Sequence, residues 1–335
     1  MPIRSSTSQT VTGRISTTVN FSAHWIAIST ANVVTVVIKK ITGRRALGVL
    51  KQRIVTAVLL LAGLIATTTL LSSFGFALFV SATVMLAAWE WCGLIGLGDN
   101  MSRAGYLATI AAVLAGLFLA LNISEDGLAI NQYRVAVILG LGTLFWLLSL
   151  IILITYPANK SGWNDQSKIA SMGLFALIPI WAAVIQLKYL MPSGVLVIAL
   201  IILVAAVDVG GYFVGTRFGR RRLAPELSPS KSWEGVWGGL GVCLLVGIGM
   251  IWAAHTYIEI LESWQFIALL MLILLTTFFS IIGDLLESIL KRNRNVKDSG
   301  GILPGHGGLL DRIDGLMAAA PIYTLLVMFV FDGSS

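Results

Sequence analysis

The sequence predicts an all-α protein, a polytopic transmembrane helical bundle of about nine spans, and three observations predict it. First, the chain is 57% hydrophobic and 12% charged, with a mean hydropathy of +0.88, whereas soluble domains carry about 25% charged residues. Second, apolar runs recur near 54–72, 74–97, 104–122, 134–155, 169–188, 194–216, 235–254, 264–286 and 314–331, and about 20 apolar residues suffice to cross a bilayer. Third, polar or glycine-rich breaks such as GLGDN (96–100), NISEDG (122–127) and YPANKSGWNDQSK (156–168) separate the runs, and none leaves room for a soluble domain.

Residues 1–48 stand apart as a basic Ser/Thr-rich extension, with Arg4, Arg14, Lys39, Lys40, Arg44 and Arg45 and no acidic residue. Three readings compete for it: an organelle transit peptide, a disordered or weakly amphipathic tail, and an upstream extension of a frame that starts near Val49. No catalytic role is expected there, and residues 25–38 are apolar but short for a span. Residues 49–335 form the membrane-embedded domain.

The loop at 217–233 carries Arg217, Arg220, Arg221, Arg222 and Lys231, and the loop at 287–313 carries Lys291, Arg292, Arg294, Lys297 and Arg312. The turn at 255–263 has Glu259 and Glu262 and no lysine or arginine. Nine spans with a cytoplasmic amino terminus put both basic loops on the cytoplasmic side, as the positive-inside rule requires. The net charge of +7 and pI near 9.6 then reflect span ends beside anionic lipid, so no nucleic-acid partner is expected. Cys92 and Cys243 lie in apolar runs and offer neither a disulfide framework nor a zinc site. His24 and His255 lack matching ligands, and Glu90, between Trp89 and Trp91, reads as a cavity-lining or snorkelling residue outside the site.

Residues 207–239, VDVGGYFVGTRFGRRRLAPELSPSKSWEGVWGG, form the first constellation. Asp208, Gly211, Gly215 and Gly219 share a helical face, with Gly235 and Gly239 on the next span, a spacing that lets membrane helices approach closely. Asp208, near a span end, needs a cationic partner. Ser228, Lys231 and Ser232 offer phosphate-binding donors, and Trp233 is an interfacial anchor or a contact for a base or acyl glycerol. No Walker A sequence occurs.

The second constellation is IIGDLLESILKRNRNVKDSGGILPGHGGLLDRID, residues 281–314. Ser280, Asp284, Glu287 and Lys291 recur at spacings of three and four, so on a helix they form one polar stripe among Ile281, Leu285, Leu286 and Ile289. Asp311 and Asp314 share a face at the start of the next run. Placing that pair near Asp284 concentrates negative charge at a low-dielectric boundary, which a bound cation relieves. Carboxylate oxygens with no cysteine favour a hard ion such as Mg2+, with Asp284, Asp311 and Asp314 as ligands and room for a second cation. Between the helices, Gly300, Gly301, Pro304, Gly305, Gly307 and Gly308 break the chain, and their exposed N–H groups, reinforced by Lys291, Arg292, Lys297 and Arg312, suit phosphates.

Ser288, Leu290, Lys291, Arg292, Lys297, Asp298, Gly300, Leu303, Pro304, His306, Gly307, Gly308, Leu309, Asp311, Arg312, Ile313 and Asp314 resemble the complete signature of the phosphatidate cytidylyltransferases, the CDP-diacylglycerol synthases. SPSKSWEG at 228–235 is similar to a second family segment, with Ser232 where threonine is commoner. The resemblance covers about residues 50–331. It implies transfer of a cytidylyl group from CTP to phosphatidic acid, giving CDP-diacylglycerol and pyrophosphate at a bacterial inner membrane. It further implies catalytic roles for Asp284, Lys291, Arg292, Lys297, Asp298, His306, Asp311, Arg312 and Asp314. Substrate contacts are implied for Asp208, Ser228, Lys231, Ser232, Trp233, Gly307 and Gly308. His306 reads equally as base, phosphate donor or loop-fixing group. A homodimer is admitted, not required. Two other classes share these features: a CTP-dependent polyprenol or phytol kinase, and a cation transporter, although transporter sites sit at the bilayer midplane in repeated halves and no repeat is evident here.

Overall fold

The computed structural model describes residues 62–125, 127, 130–156, 158, 163–257, 261–303 and 307–332. The expectations for residues 1–48, for the first part of the first span, and for Pro304, Gly305 and His306 lie outside the described residues.

Residues 62–70 are helical and are labelled α1. They are followed by α2 (Ser73–Ile95), α3 (Asn100–Ala120), α4 (Gln132–Thr155), α5 (Gln166–Leu190), α6 (Val195–Phe218), α7 (Trp233–Tyr257), α8 (Ser263–Asn293) and α9 (Leu310–Asp332). From α2 onward these are eight helices long and apolar enough to cross a membrane, matching the second to ninth expected spans. The protein is an all-α integral membrane bundle, and its many exposed leucines and aromatics are faces turned to lipid. Side-chain caps start several helices: Ser72 accepts from Gly75 N, Asp99 from Ser102 N, Asn131 from Arg134 N and Asp165 from Lys168 N.

The bundle is built around α5, whose residues Ala176 to Tyr189 are all buried. Trp91 Nε1 donates to Ile169 O at 2.9 Å and Trp181 Nε1 to Ser81 Oγ at 2.8 Å, fastening α2 to α5. In lipid, where apolar burial gives helices little reason to associate, such bonds and close packing hold them together. The α6–α7 pair packs through its glycines as expected: a Cβ on Gly235 would stand 3.0 Å from Gly211 O and one on Gly239 2.8 Å from Val207 O, and Gly210, outside that expected face, adds an approach of 2.6 Å to Gly238 O.

Two features differ from the sequence expectation. Between α6 and α7 the chain forms a short antiparallel hairpin, β1 (Arg222–Ala224) with β2 (Ser228–Ser232); Pro225 starts its turn, closed by Leu227 N donating to Ala224 O. And α8 continues to Asn293, so residues 287–293, grouped by charge with the 287–313 loop, are helical and carry the expected stripe through Lys291.

Candidate active site

The site lies where the hairpin and the α8–α9 connection meet at one end of the bundle. Glycine again sets the geometry: a Cβ on Gly283 would stand 2.2 Å from Asp314 O, and one on Gly315 2.6 Å from Ser280 Oγ. The α8 and α9 backbones therefore nearly touch, and Asp284 and Asp314 face a common space. Asp208, from α6, joins them, since Asp208 and Asp314 both feel the field of Asp284. Lys231 on β2 forms an ion pair with Asp284, and Arg312 acts on Asp208. A cleft of about 420 Å³ opens here, lined by Asp208, Tyr212, Thr216, Lys231, Ser280 and Asp284 among others.

Deeper along the same stripe, Glu287 is 2% exposed. Lys291 Nζ donates to Glu287 Oε2 and to Asp311 Oδ1, both at 2.7 Å. The other oxygen of Asp311 accepts from Ser299 N at 3.0 Å and Gly308 N at 2.8 Å. Glu90 of α2, 4% exposed, accepts from Leu310 N at 2.9 Å and Ser299 Oγ at 3.2 Å. The backbone donors of the glycine loop do bind anions, as the sequence suggests, but at these positions the anions are the protein's own carboxylates.

The structure thus separates residues that the sequence groups together. Asp208, Lys231 and Asp284 line the cleft, while Asp314 and Arg312, outside its lining, act on those groups electrostatically. Asp311 and Lys291 are committed to one another and to the loop. Arg292 Nε donates to Leu227 O at 3.2 Å, tying the hairpin to α8. Ser228 is paired within the hairpin, whereas Ser232 lines the cleft and also accepts from Gly235 N, capping α7. Trp233 is 49% exposed and is not among the cleft's lining residues, which favours the interfacial anchor. Lys297 and Asp298 are exposed on the loop, and Gly307, at φ 82°, supplies a turn that a side chain would strain.

Two participants are absent from the sequence-derived site. Glu287 appears there only as part of a stripe. Glu90 does not snorkel: it is buried against the loop. Its signal was a lone carboxylate in an apolar run near a span end, which in a membrane requires a partner, although nothing in the sequence names a partner 209 and 220 residues away.

The donor set bears on the expected Mg2+. Asp208, Asp284, Asp314 and Glu287 bring oxygen ligands into one region, Glu287 and Asp314 are within reach of one another, and buried Glu287 Oε1 has no donor. Crowded, incompletely compensated carboxylates suit a hard cation. Among the described residues, no three acids stand preassembled as ligands, and Lys231 and Lys291 pair with Asp284 and Asp311.

These features define an integral membrane protein with a charged, carboxylate-rich cleft at the end of a helical bundle. Residues 51–330 match the model of the cytidylyltransferase family, and the chain belongs to that family, a family of enzymes that transfer nucleotidyl groups. It is 40% identical to the phosphatidate cytidylyltransferase of Pseudomonas aeruginosa over 281 residues, covering 83% of this chain and 97% of the relative. It is 34% identical to that of Haemophilus influenzae over 290 residues, covering 84% and 99%.

Proposed function

We propose that the protein transfers the cytidylyl group of CTP to phosphatidic acid, producing CDP-diacylglycerol and pyrophosphate, with its site on the cytoplasmic side of a bacterial inner membrane. The observation that carries this reading is the cleft, lined by Lys231, Asp208 and Asp284 with Arg312 and Asp314 acting on them, in a chain similar along most of its length to proteins named phosphatidate cytidylyltransferase. Such a cleft meets both needs of the reaction, cationic groups for phosphates and carboxylates for a counter-ion. The orientation is supported by Arg217, Arg220, Arg221, Arg222 and Lys231 at this end of the bundle.

The lipid phosphate attacks the alpha phosphorus of CTP in line; a new P–O bond forms to the lipid phosphate as the bond to the bridging oxygen of pyrophosphate breaks. The nucleophile is already anionic, so a strong general base is unnecessary. Lys231 and Arg312 hold and orient phosphate oxygens, and exposed Arg292 and Lys297 at the rim draw in the triphosphate. Asp208, Asp284 and Asp314 would hold Mg2+ by drawing together, since no three acids form a ready ligand set among the described residues, and Asp311 would join only if Lys291 released it. When bound, such a cation neutralises charge on the transferring phosphates.

The test supplies purified protein with phosphatidic acid or, in parallel, with polyprenol or phytol, together with Mg2+ and CTP labelled separately at the alpha and gamma phosphates. Alpha label entering the lipid, with gamma label released in pyrophosphate, is the expected result. Gamma label entering polyprenol or phytol would replace this reading with a lipid kinase, and no lipid labelling would remove both.

A further inference from the structure

The α8–α9 connection is fastened at both ends to the last turns of α2, a helix outside both sequence constellations. At one end, Arg294 Nε donates to Leu94 O at 2.8 Å and its terminal nitrogen donates to Ile95 O. A cationic fork here satisfies carbonyls that the C-terminus of α2 leaves open. At the other end, Glu90 accepts from Ser299 Oγ and from Leu310 N, the first residue of α9. A carboxylate at that position serves α9 as an N-terminal cap supplied from another helix, and α9 is the helix that carries Asp311, Arg312 and Asp314.

The same contact explains a glycine of the signature. The three atoms nearest a Cβ on Gly300 all belong to Glu90, Oε1 at 2.3 Å, Cδ at 2.7 Å and Cγ at 3.0 Å. Gly300 has a negative φ, so no left-handed conformation calls for glycine there. What excludes a side chain is the buried carboxylate of Glu90.

We propose that Glu90 is a positioning residue for the transfer reaction: by locking Ser299 to Leu310 it fixes the glycine loop and the start of α9, and Gly300 is glycine in order to receive it. This rests on the transferase reading above for its effect on turnover, but not for its effect on the loop. Because Glu90 touches neither the cleft nor any cleft side chain named here, it acts through the elements it holds.

The experiment compares full-length wild type with Glu90→Ala, Glu90→Gln, Gly300→Ala and the Glu90→Ala/Gly300→Ala double variant, in lipid nanodiscs. Two readouts are taken: kcat and KM for CTP, and hydrogen exchange across residues 296–312. Gly300→Ala and Glu90→Ala are each expected to lower kcat/KM by about tenfold or more, and to speed exchange at 299–311 with the other helices unchanged. The double variant should match Glu90→Ala within about threefold, since the added methyl then enters vacated space. Glu90→Gln, which keeps an acceptor oxygen, should fall between wild type and Glu90→Ala. Losses that multiply in the double variant, or exchange at 299–311 unmoved by Glu90→Ala, overturn the proposal. If Glu90→Ala does not fold, exchange in Glu90→Gln and Gly300→Ala decides it by the same criterion. Absence of transfer in wild-type protein would defeat the transferase reading alone, leaving the exchange comparison to judge Glu90.

Discussion

The cleft and the glycine loop are built from the same kinds of side chain, carboxylates, lysines and small polar residues, yet their charges are handled differently. In the loop, every oxygen of Asp311 has a partner, Lys291 bridges two carboxylates, and Glu90 holds both ends of a turn. In the cleft region, Asp208 and Asp314 both feel the negative field of Asp284, which Lys231 pairs. Apart from Glu90 Oε1 and Glu287 Oε1, which lack a hydrogen-bond partner, the charges at the loop are paired and build structure, whereas crowded carboxylates are what a site for phosphates and a cation requires. One contiguous signature therefore divides into a part that holds and a part that reacts.

The comparison breaks most sharply at Asp284 and Asp314. Asparagine at either is expected to reduce turnover by about 10²–10³-fold or more, as when a group serving the transition state is removed. It should leave folding intact, because loss of one negative charge relieves repulsion; turnover set against thermal stability in detergent checks this. Chelation of divalent cations should suppress turnover to a similar degree and Mg2+ should restore it, while a rate indifferent to chelator would remove the cation from the account.

The two lysines sharpen the comparison. Lys291→Met leaves buried Glu287 and Asp311 without their cation and is expected to cost about 3–5 kcal/mol of stability. Lys231 is partly exposed, so Lys231→Met should cost within about 1 kcal/mol while turnover falls strongly. Equal destabilisation by both would erase the distinction. Gly283→Ala, pressed against the Asp314 carbonyl, should cost about 1–3 kcal/mol through overpacking, seen as a lower melting temperature. Trp233→Phe should change kcat/KM by less than about threefold; a larger loss would bring Trp233 back toward the substrate.

The spans from α2 to α9 were legible because lipid demands runs of apolar residues, and the stripe from Ser280 to Lys291 was legible because helical phase is a local property. The glycine contacts of α6 with α7 were readable for the same reason. The hairpin was not, since strands of three and five residues around Pro225 and Pro229 carry no alternating pattern. Nor was the partition of the acids. Helical spacing puts Asp311 and Asp314 on one face, but only tertiary packing sends one to Lys291 and the other toward Asp208 and Asp284. Glu90 was the least legible, because its partners come from the far end of the chain.

The most direct measurement runs the separate alpha- and gamma-label transfers on wild-type and Asp284→Asn proteins of matched thermal stability. The account predicts that wild type moves alpha label into phosphatidic acid and releases gamma label as pyrophosphate, and that Asp284→Asn moves neither. Alpha-label transfer by Asp284→Asn at the wild-type rate would contradict the placement of the chemistry in the cleft.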